Sequence, residues 1–342
     1  DGSWLWSNDG AIRFADNKDG ERVNANNIPS YKNHAKETVC KVLLSASNNF
    51  PIAEKERFKP TLSVTPSGKK LLDFGQNMAG YVEFEINARE GQKITLEFGE
   101  LLHDGELTLE NIQCRNKHKT TPLQRVEYIC KEGVNRYKTK FAIFGFQYIS
   151  VETDVTVRPE DFTAIAVYSD MDETGYFNSS NELLNKFVEA TKWSAKGNST
   201  DLPTDCPTRE RHGWTGDAQV FFRTATFNRD VQTFFNKWMA DVAAEQYADG
   251  AVNGIYPVTH RSRISAGWGD VATIIPWQHY MAYGDLRMLE RQYPSMKKWV
   301  DYITSQTEND LWSKGNSYGD WLFFSYADDK DGRSAVTIRP FI

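Results

Sequence analysis

An antiparallel β-sandwich followed by stacked helical hairpins is the fold class this sequence predicts, on three observations. Up to about residue 165, short runs alternate apolar and polar residues between Gly and Asn punctuation, as half-buried strands do. From about Asp172 the apolar spacing lengthens to the three-to-four-residue period of helices. Within that second part a cluster of Trp, Gly and Asp recurs as GWTGD, GWGD and YGDW, and its aspartates, Asp217, Asp270 and Asp320, lie 53 and 50 residues apart. That interval fits two helices with their loops.

The strands expected in order are residues 81–86, 93–102, 125–130, 137–144 and 147–155. Ahead of the first, LLDFGQNMAG places Gly75, Asn77 and Gly80 in what reads as a tight turn feeding a strand. The first helix is expected over 178–197, with Leu183, Leu184, Phe187, Ala190 and Trp193 on one stripe, a Ser or Asn cap and a stop at Gly197. Further helices follow over 215–226, 230–246, 271–283 and 286–304; the last carries a stripe of Met288, Leu289, Tyr293, Met296, Trp299, Val300 and Ile303. Such stripes read as core. The chain divides accordingly into a lead-in of linker and strands (1–60), a β-sandwich (61–168) and a helical domain (169–342).

At 342 residues the chain exceeds the ~100–200 of a single domain, which agrees with that division. A net charge of −6 lacks the basic surface that phosphate-backbone binding requires, so a nucleic-acid partner is excluded. No run reaches the ~18 apolar residues of a membrane span. Cys40, Cys114, Cys130 and Cys206 have no CxxC spacing and read as ordinary thiols, with neither a disulfide framework nor a zinc site. The 10 Trp and 15 Tyr suit contact with sugars, because they join a flat apolar face to a polar handle.

The densest chemistry lies in DCPTRERHGWTGDAQ, residues 205–219. A phosphatase loop is excluded, since the sixth residue after Cys206 is His212 instead of Arg and no glycine-rich cradle surrounds it. A metal site is not indicated, because His212 has no second histidine near it in sequence. Paired carboxyls remain. Pro207 keeps 205–210 out of a helix, the glycines allow close approach, and Thr215 is placed to cap a helix whose first turn holds Asp217. Asp205, Glu210 and Asp217 would repel one another in a desolvated site, pushing at least one pKa upward; a carboxyl protonated near neutral pH is what a glycosidic leaving oxygen needs. For one acid to stay neutral, Arg209 or Arg211 must pair with Asp205 or Asp217. Glu210 has the longest reach and is the proton-donor candidate. The repeat places Trp214, Asp217, Trp268, Asp270, Asp320 and Trp321 together at one end of the hairpins, where aromatic faces and carboxylates would suit a carbohydrate.

The same stretch, with GWGD, PWQHYMAYGD, YGDW and the LLDFGQNMAGYVEFEI segment, resembles the bacterial α-L-rhamnosidases of glycoside hydrolase family 78 over nearly the whole chain. The resemblance implies that the hairpins are the first part of an (α/α)6 toroid and that the enzyme is an inverting glycosidase releasing terminal α-L-rhamnose from plant or microbial glycans, with no cofactor. It implies Glu210 as general acid, Asp205 and Asp217 on the rhamnose hydroxyls with Arg209 nearby, and Trp214, Trp268 and Trp321 as walls, with Asp270 also at the substrate. The family's base is a glutamate further along the toroid, so it is expected beyond residue 342 and the chain is expected to be a fragment. Two other readings stay open. One is another toroid enzyme, a uronyl hydrolase or a lyase, using Arg261 and Arg263 as its basic subsite; the other is a non-catalytic glycan-binding protein.

Overall fold

A computed structural model describes residues 2–115, 120–312 and 318 of the chain. Ten strands form one hydrogen-bonded sheet: β1 (Ile12–Asp16), β2 (Gly20–Asn24), β3 (Ile52–Phe58), β4 (Thr61–Val64), β5 (Lys70–Ala88), β6 (Lys93–Gly99), β7 (Arg125–Ile129), β8 (Gly133–Lys138), β9 (Phe144–Thr153) and β10 (Phe162–Ser169). Their order is β1-β2-β7-β6-β9-β5-β10-β3, with β4 and β8 also pairing with β5.

The 19-residue β5 makes the fold two-layered. Its first part pairs with β4 and β9, and its second part, from Gly80, with β8 and β10. The sheet therefore curls at β5 into a half-barrel, and apolar side chains close inside it; Phe84 of β5 meets Tyr128 of β7 edge-on at 5.2 Å, and Tyr128 meets Tyr137 of β8 at 5.3 Å.

Several expectations change here. The Gly75–Gly80 stretch is no turn, because β5 runs through it; Met78 pairs with Phe146 and Asp73 with Tyr148, so four residues of β5 oppose Gln147 alone in a bulge, with Phe74 still turned into the core. Residues 12–24, assigned to the lead-in, edge the main sheet, and β2 runs parallel to β7 in an otherwise antiparallel arrangement. The strand expected over 137–144 stops at Lys138. Its continuation gives its backbone to a carboxylate instead of to a ladder: Glu21, 1% exposed, accepts the N–H groups of Lys140, Phe141 and Ala142 and the hydroxyl of Tyr137.

Five α-helices follow among the described residues: α1 (Glu182–Gly197), α2 (Thr215–Asn228), α3 (Gln232–Ala244), α4 (Val271–Tyr283) and α5 (Leu286–Gln306). Asn181 caps α1 by accepting the N–H groups of Leu183 and Leu184. The first turns of the α1 stripe do not face the core, since Leu183 and Phe187 are 77% and 67% exposed. The helix docks on the sandwich near its C-terminal end, where Trp193, the last residue of the stripe, meets Phe58 edge-on at 5.8 Å and Lys196 bonds Glu56 at 2.8 Å. Helices α2 to α5 share a second core of Phe222, Phe235, Trp238, Met239, Ile275 and Trp299, with α4 between α2 and α5. Of the α5 stripe, Met288 and Trp299 are buried while Tyr293 and Val300 are exposed.

Candidate active site

The residues leading into α2 form a closed loop. Asp205 ties its two ends: its N–H donates to the carbonyl of His212 (3.1 Å) and its Oδ1 accepts the N–H of His212 (3.0 Å). Inside the loop Cys206 Sγ accepts the N–H of Glu210 at 3.2 Å. Beyond it the chain joins residues 254–256 as in a short sheet, through Tyr256 N–H to Gly213 (3.0 Å) and Thr215 N–H to Gly254 (2.9 Å). Thr215 does not cap α2. Its hydroxyl donates to the carbonyl of Gly254, and the cap position falls to Trp214, which makes no side-chain cap bond.

Trp214 has another task. Its indole Nε1 donates to Glu210 Oε2 at 2.9 Å, while Arg209 Nε stands 3.7 Å from Oε1. Trp268 lies across Gly216, where a Cβ would come within 2.8 Å of the indole nitrogen, so only glycine admits the ring. The rings of Trp214 and Trp268 both border Tyr318, at 5.8 and 4.9 Å between centroids. Arg263 sits 5.7 Å above the Tyr318 ring, whereas Arg261 lies over Tyr247. The basic pair imagined for a uronate thus has only Arg263 beside the aromatic group.

Electrostatics join the three acids. Withdrawal from water raises the Asp205 carboxyl, helped by the charge of Glu210 and opposed by bonds from His212 and Cys206. Asp217, in the first turn of α2, is raised by the same desolvation and then by Asp205 and Glu210. The upward shift foreseen for the site therefore falls on the two aspartates. Neither arginine pairs with them as expected: Arg209 faces Glu210, and Arg211 turns toward the sandwich. A cavity of about 190 Å³ between α1 and α2 is bordered by Asp205, Asp217, Phe221 and Arg229, and Glu210 and the two tryptophans lie outside its walls.

Asp205, Arg209, Glu210, Trp214, Asp217 and Trp268 are thus brought together. Asp270 is turned inward, with Oδ1 accepting Trp299 Nε1 (3.0 Å) and Oδ2 accepting the N–H of Gly267 (2.8 Å). Asp320 and Trp321 lie outside the described residues. Tyr318 was passed over in favour of its YGDW neighbours, although the repeat pointed to that segment. His260 was also missed: its ring lies 5.6 Å from that of His212, so a second histidine is near in space. Among the described residues no group of three or more His, Cys, Asp or Glu is placed to hold a metal ion.

A curled β-domain leading into helical hairpins whose loops gather acids and tryptophans is the build of a six-hairpin glycosidase, and two family models match in that order. The bacterial α-L-rhamnosidase concanavalin-like domain matches residues 63–168, and the bacterial α-L-rhamnosidase six-hairpin glycosidase domain matches residues 172–339. The chain belongs to the bacterial α-L-rhamnosidases of glycoside hydrolase family 78. It is 36% identical to an α-L-rhamnosidase of Alteromonas sp. (strain LOR), over 94% of this chain and 36% of that protein. The solved α-L-rhamnosidase of Aspergillus terreus superposes with a TM-score of 0.84 at 32% identity, over 94% of this chain and 39% of that one. The Streptomyces avermitilis α-L-rhamnosidase complexed with L-rhamnose superposes with a TM-score of 0.83 at 29% identity, over 92% and 31%.

Proposed function

We propose that this chain contributes the proton-donating side of an α-L-rhamnosidase site that hydrolyses terminal α-L-rhamnosides with inversion. Glu210 protonates the leaving oxygen. Asp205 and Asp217 hold the sugar hydroxyls with Arg209 beside them, and Trp214, Trp268 and Trp321 wall the sugar and its methyl group. The observation that carries the reading is the bond from Trp214 Nε1 to Glu210 Oε2, which fixes one acid beside two others and under an aromatic wall.

Inversion calls for a second carboxylate about 6.5–9.5 Å from the acid to activate water on the opposite face of the ring. That role is assigned to none of the described residues. The substrate class follows from the relatives, one of which was solved with L-rhamnose. Oligosaccharide, polysaccharide and small glycoside carrying terminal rhamnose are all proposed as partners.

The test is hydrolysis of an alkyl α-L-rhamnoside by the full-length protein and by Glu210→Gln. Losing the acid is expected to lower kcat ~10²–10⁴-fold. Unchanged turnover in Glu210→Gln removes Glu210 as the donor, and binding without turnover in the wild type returns the protein to the glycan-binding reading.

A further inference from the structure

The sandwich grips the loop that carries Glu210. From the turn between β1 and β2, Lys18 donates its ammonium to the carbonyl of Arg209 at 3.1 Å. Arg211 reaches back the other way: Nη1 donates to the carbonyl of Asn17, Nη2 to Gln124 Oε1 (3.4 Å) and Nε to the carbonyl of Thr208 (3.0 Å). Its φ of 57° is a left-handed conformation that a side chain of this size adopts only where its surroundings impose it.

The anchoring groups are themselves fixed. Asp16 Oδ1 accepts the N–H groups of Lys18 and Asp19, and Asp19 Oδ1 accepts the hydroxyl of Thr121 and the N–H of Leu123. Gln124 is fully buried, donates to the carbonyls of Phe98 and Gly145, and accepts the N–H of Gly145. Gly145 permits the docking, because a Cβ there would fall 2.6 Å from Thr208 and 3.0 Å from Pro207.

Among the described residues Arg211 forms no ion pair, and burial pushes its pKa down to about 10, which still leaves it charged at neutral pH. Its hydrogen-bond acceptors are all neutral and the charge of Asp16 acts on it only through space, so the cation is costly to keep unless its geometry is used.

We propose that Arg211, Lys18 and the β1–β2 turn form a clamp by which the β-sandwich positions Glu210, so that the sandwich is a working part of the catalytic site. The idea rests on the reading of Glu210 as proton donor. Both neighbours of Glu210 are held from the sandwich and its Oε2 is held by Trp214, which leaves the acid little freedom. Arg211 and Lys18 are positioning residues; neither touches the sugar on this account. An acid must come within about 2.6–3.2 Å of the leaving oxygen, and a misplacement of about 1 Å costs up to ~10²-fold.

The experiment compares full-length wild type with Arg211→Met and with Lys18→Met, whose partly exposed side chain can be replaced without disturbing a core. Two substrates are used, an alkyl α-L-rhamnoside that needs protonation and a dinitrophenyl α-L-rhamnoside that leaves without it. Loosening the clamp is expected to lower kcat on the alkyl substrate ~10²-fold for Arg211→Met and ~10-fold or less for Lys18→Met, with under about twofold change on the dinitrophenyl substrate and in KM. Amide hydrogen exchange over residues 207–211 should quicken in both variants. Equal losses on the two substrates, or unchanged exchange, overturn the clamp. If the wild type cleaves neither rhamnoside, the functional reading has failed, and exchange in Lys18→Met still decides whether the clamp exists.

Discussion

Glu21 in the sandwich and the pair Asp205 and Asp217 in the helical part are acids withdrawn from water in different ways. Glu21 meets three backbone N–H groups and the Tyr137 hydroxyl, so donors surround it. Asp205 has the N–H of His212, the Cys206 thiol and its own N–H, while its electrostatic neighbour is another acid; Asp217 has its own N–H and faces two acids. A structure that needs a buried carboxylate supplies it with donors. One that leaves carboxylates under-partnered and mutually repelling holds them for something absent from the free protein, which is why perturbed acids in a cleft point to function.

The contrast breaks most visibly at Glu21. Glu21→Ala takes the acceptor from three backbone N–H groups, that of Ala142 buried and those of Lys140 and Phe141 part-buried, at about 1–3 kcal/mol for each one left dry, so a loss of roughly 3 kcal/mol is expected in chemical denaturation. A loss below about 1 kcal/mol would show that water replaces the carboxylate and that the comparison is false.

Asp270 tests which side of the contrast a fourth acid belongs to. The repeat marks it as a sugar ligand, yet Trp299 Nε1 and the N–H of Gly267 take both its oxygens. Asp270→Asn keeps one acceptor and replaces the other with a donor facing an N–H, so a stability loss of about 1–3 kcal/mol is expected. The assay is thermal unfolding beside rhamnoside KM. A large rise in KM with unchanged stability would restore Asp270 to the substrate.

These cases show what local sequence carries. Apolar spacing located the five helices among the described residues, because core-facing periodicity is written within one turn of its neighbours, and the crowded 205–219 loop announced its own acids. The rest depended on distant partners. Nothing near Tyr137 indicates that Glu21, 116 residues away, will take the backbone expected to form a strand. Arg211 looked like a counter-ion for its neighbouring acids, but two of its partners lie 194 and 87 residues upstream and none is an acid. The stripe on α1 was real as a pattern and only partly right as a direction, since Leu183 and Phe187 are exposed while its last member, Trp193, docks with Lys196 on the sandwich. Spacing ranks which residues can share a face and leaves open which face is covered.

The smallest effect is the most diagnostic. Because burial raises the Asp205 carboxyl, the native state retains a proton that the unfolded chain releases near pH 3.9. Stability therefore falls as pH rises from about that value toward the raised one, and the full penalty is present at neutral pH. Asp205→Asn keeps an oxygen for the N–H of His212 and removes the charge. The variant should be more stable than wild type at pH 7, by a few tenths of a kcal/mol once solvent screening of a half-buried group is allowed for, and equal to it near pH 3. Thermal unfolding at the two pH values measures this, with rhamnoside hydrolysis read in parallel. A gain in stability with a loss of turnover is the pattern of an acid kept for its substrate. A loss of stability at pH 7 would mean that the Asp205 charge is welcome in the fold, and would place it with Glu21 as structure.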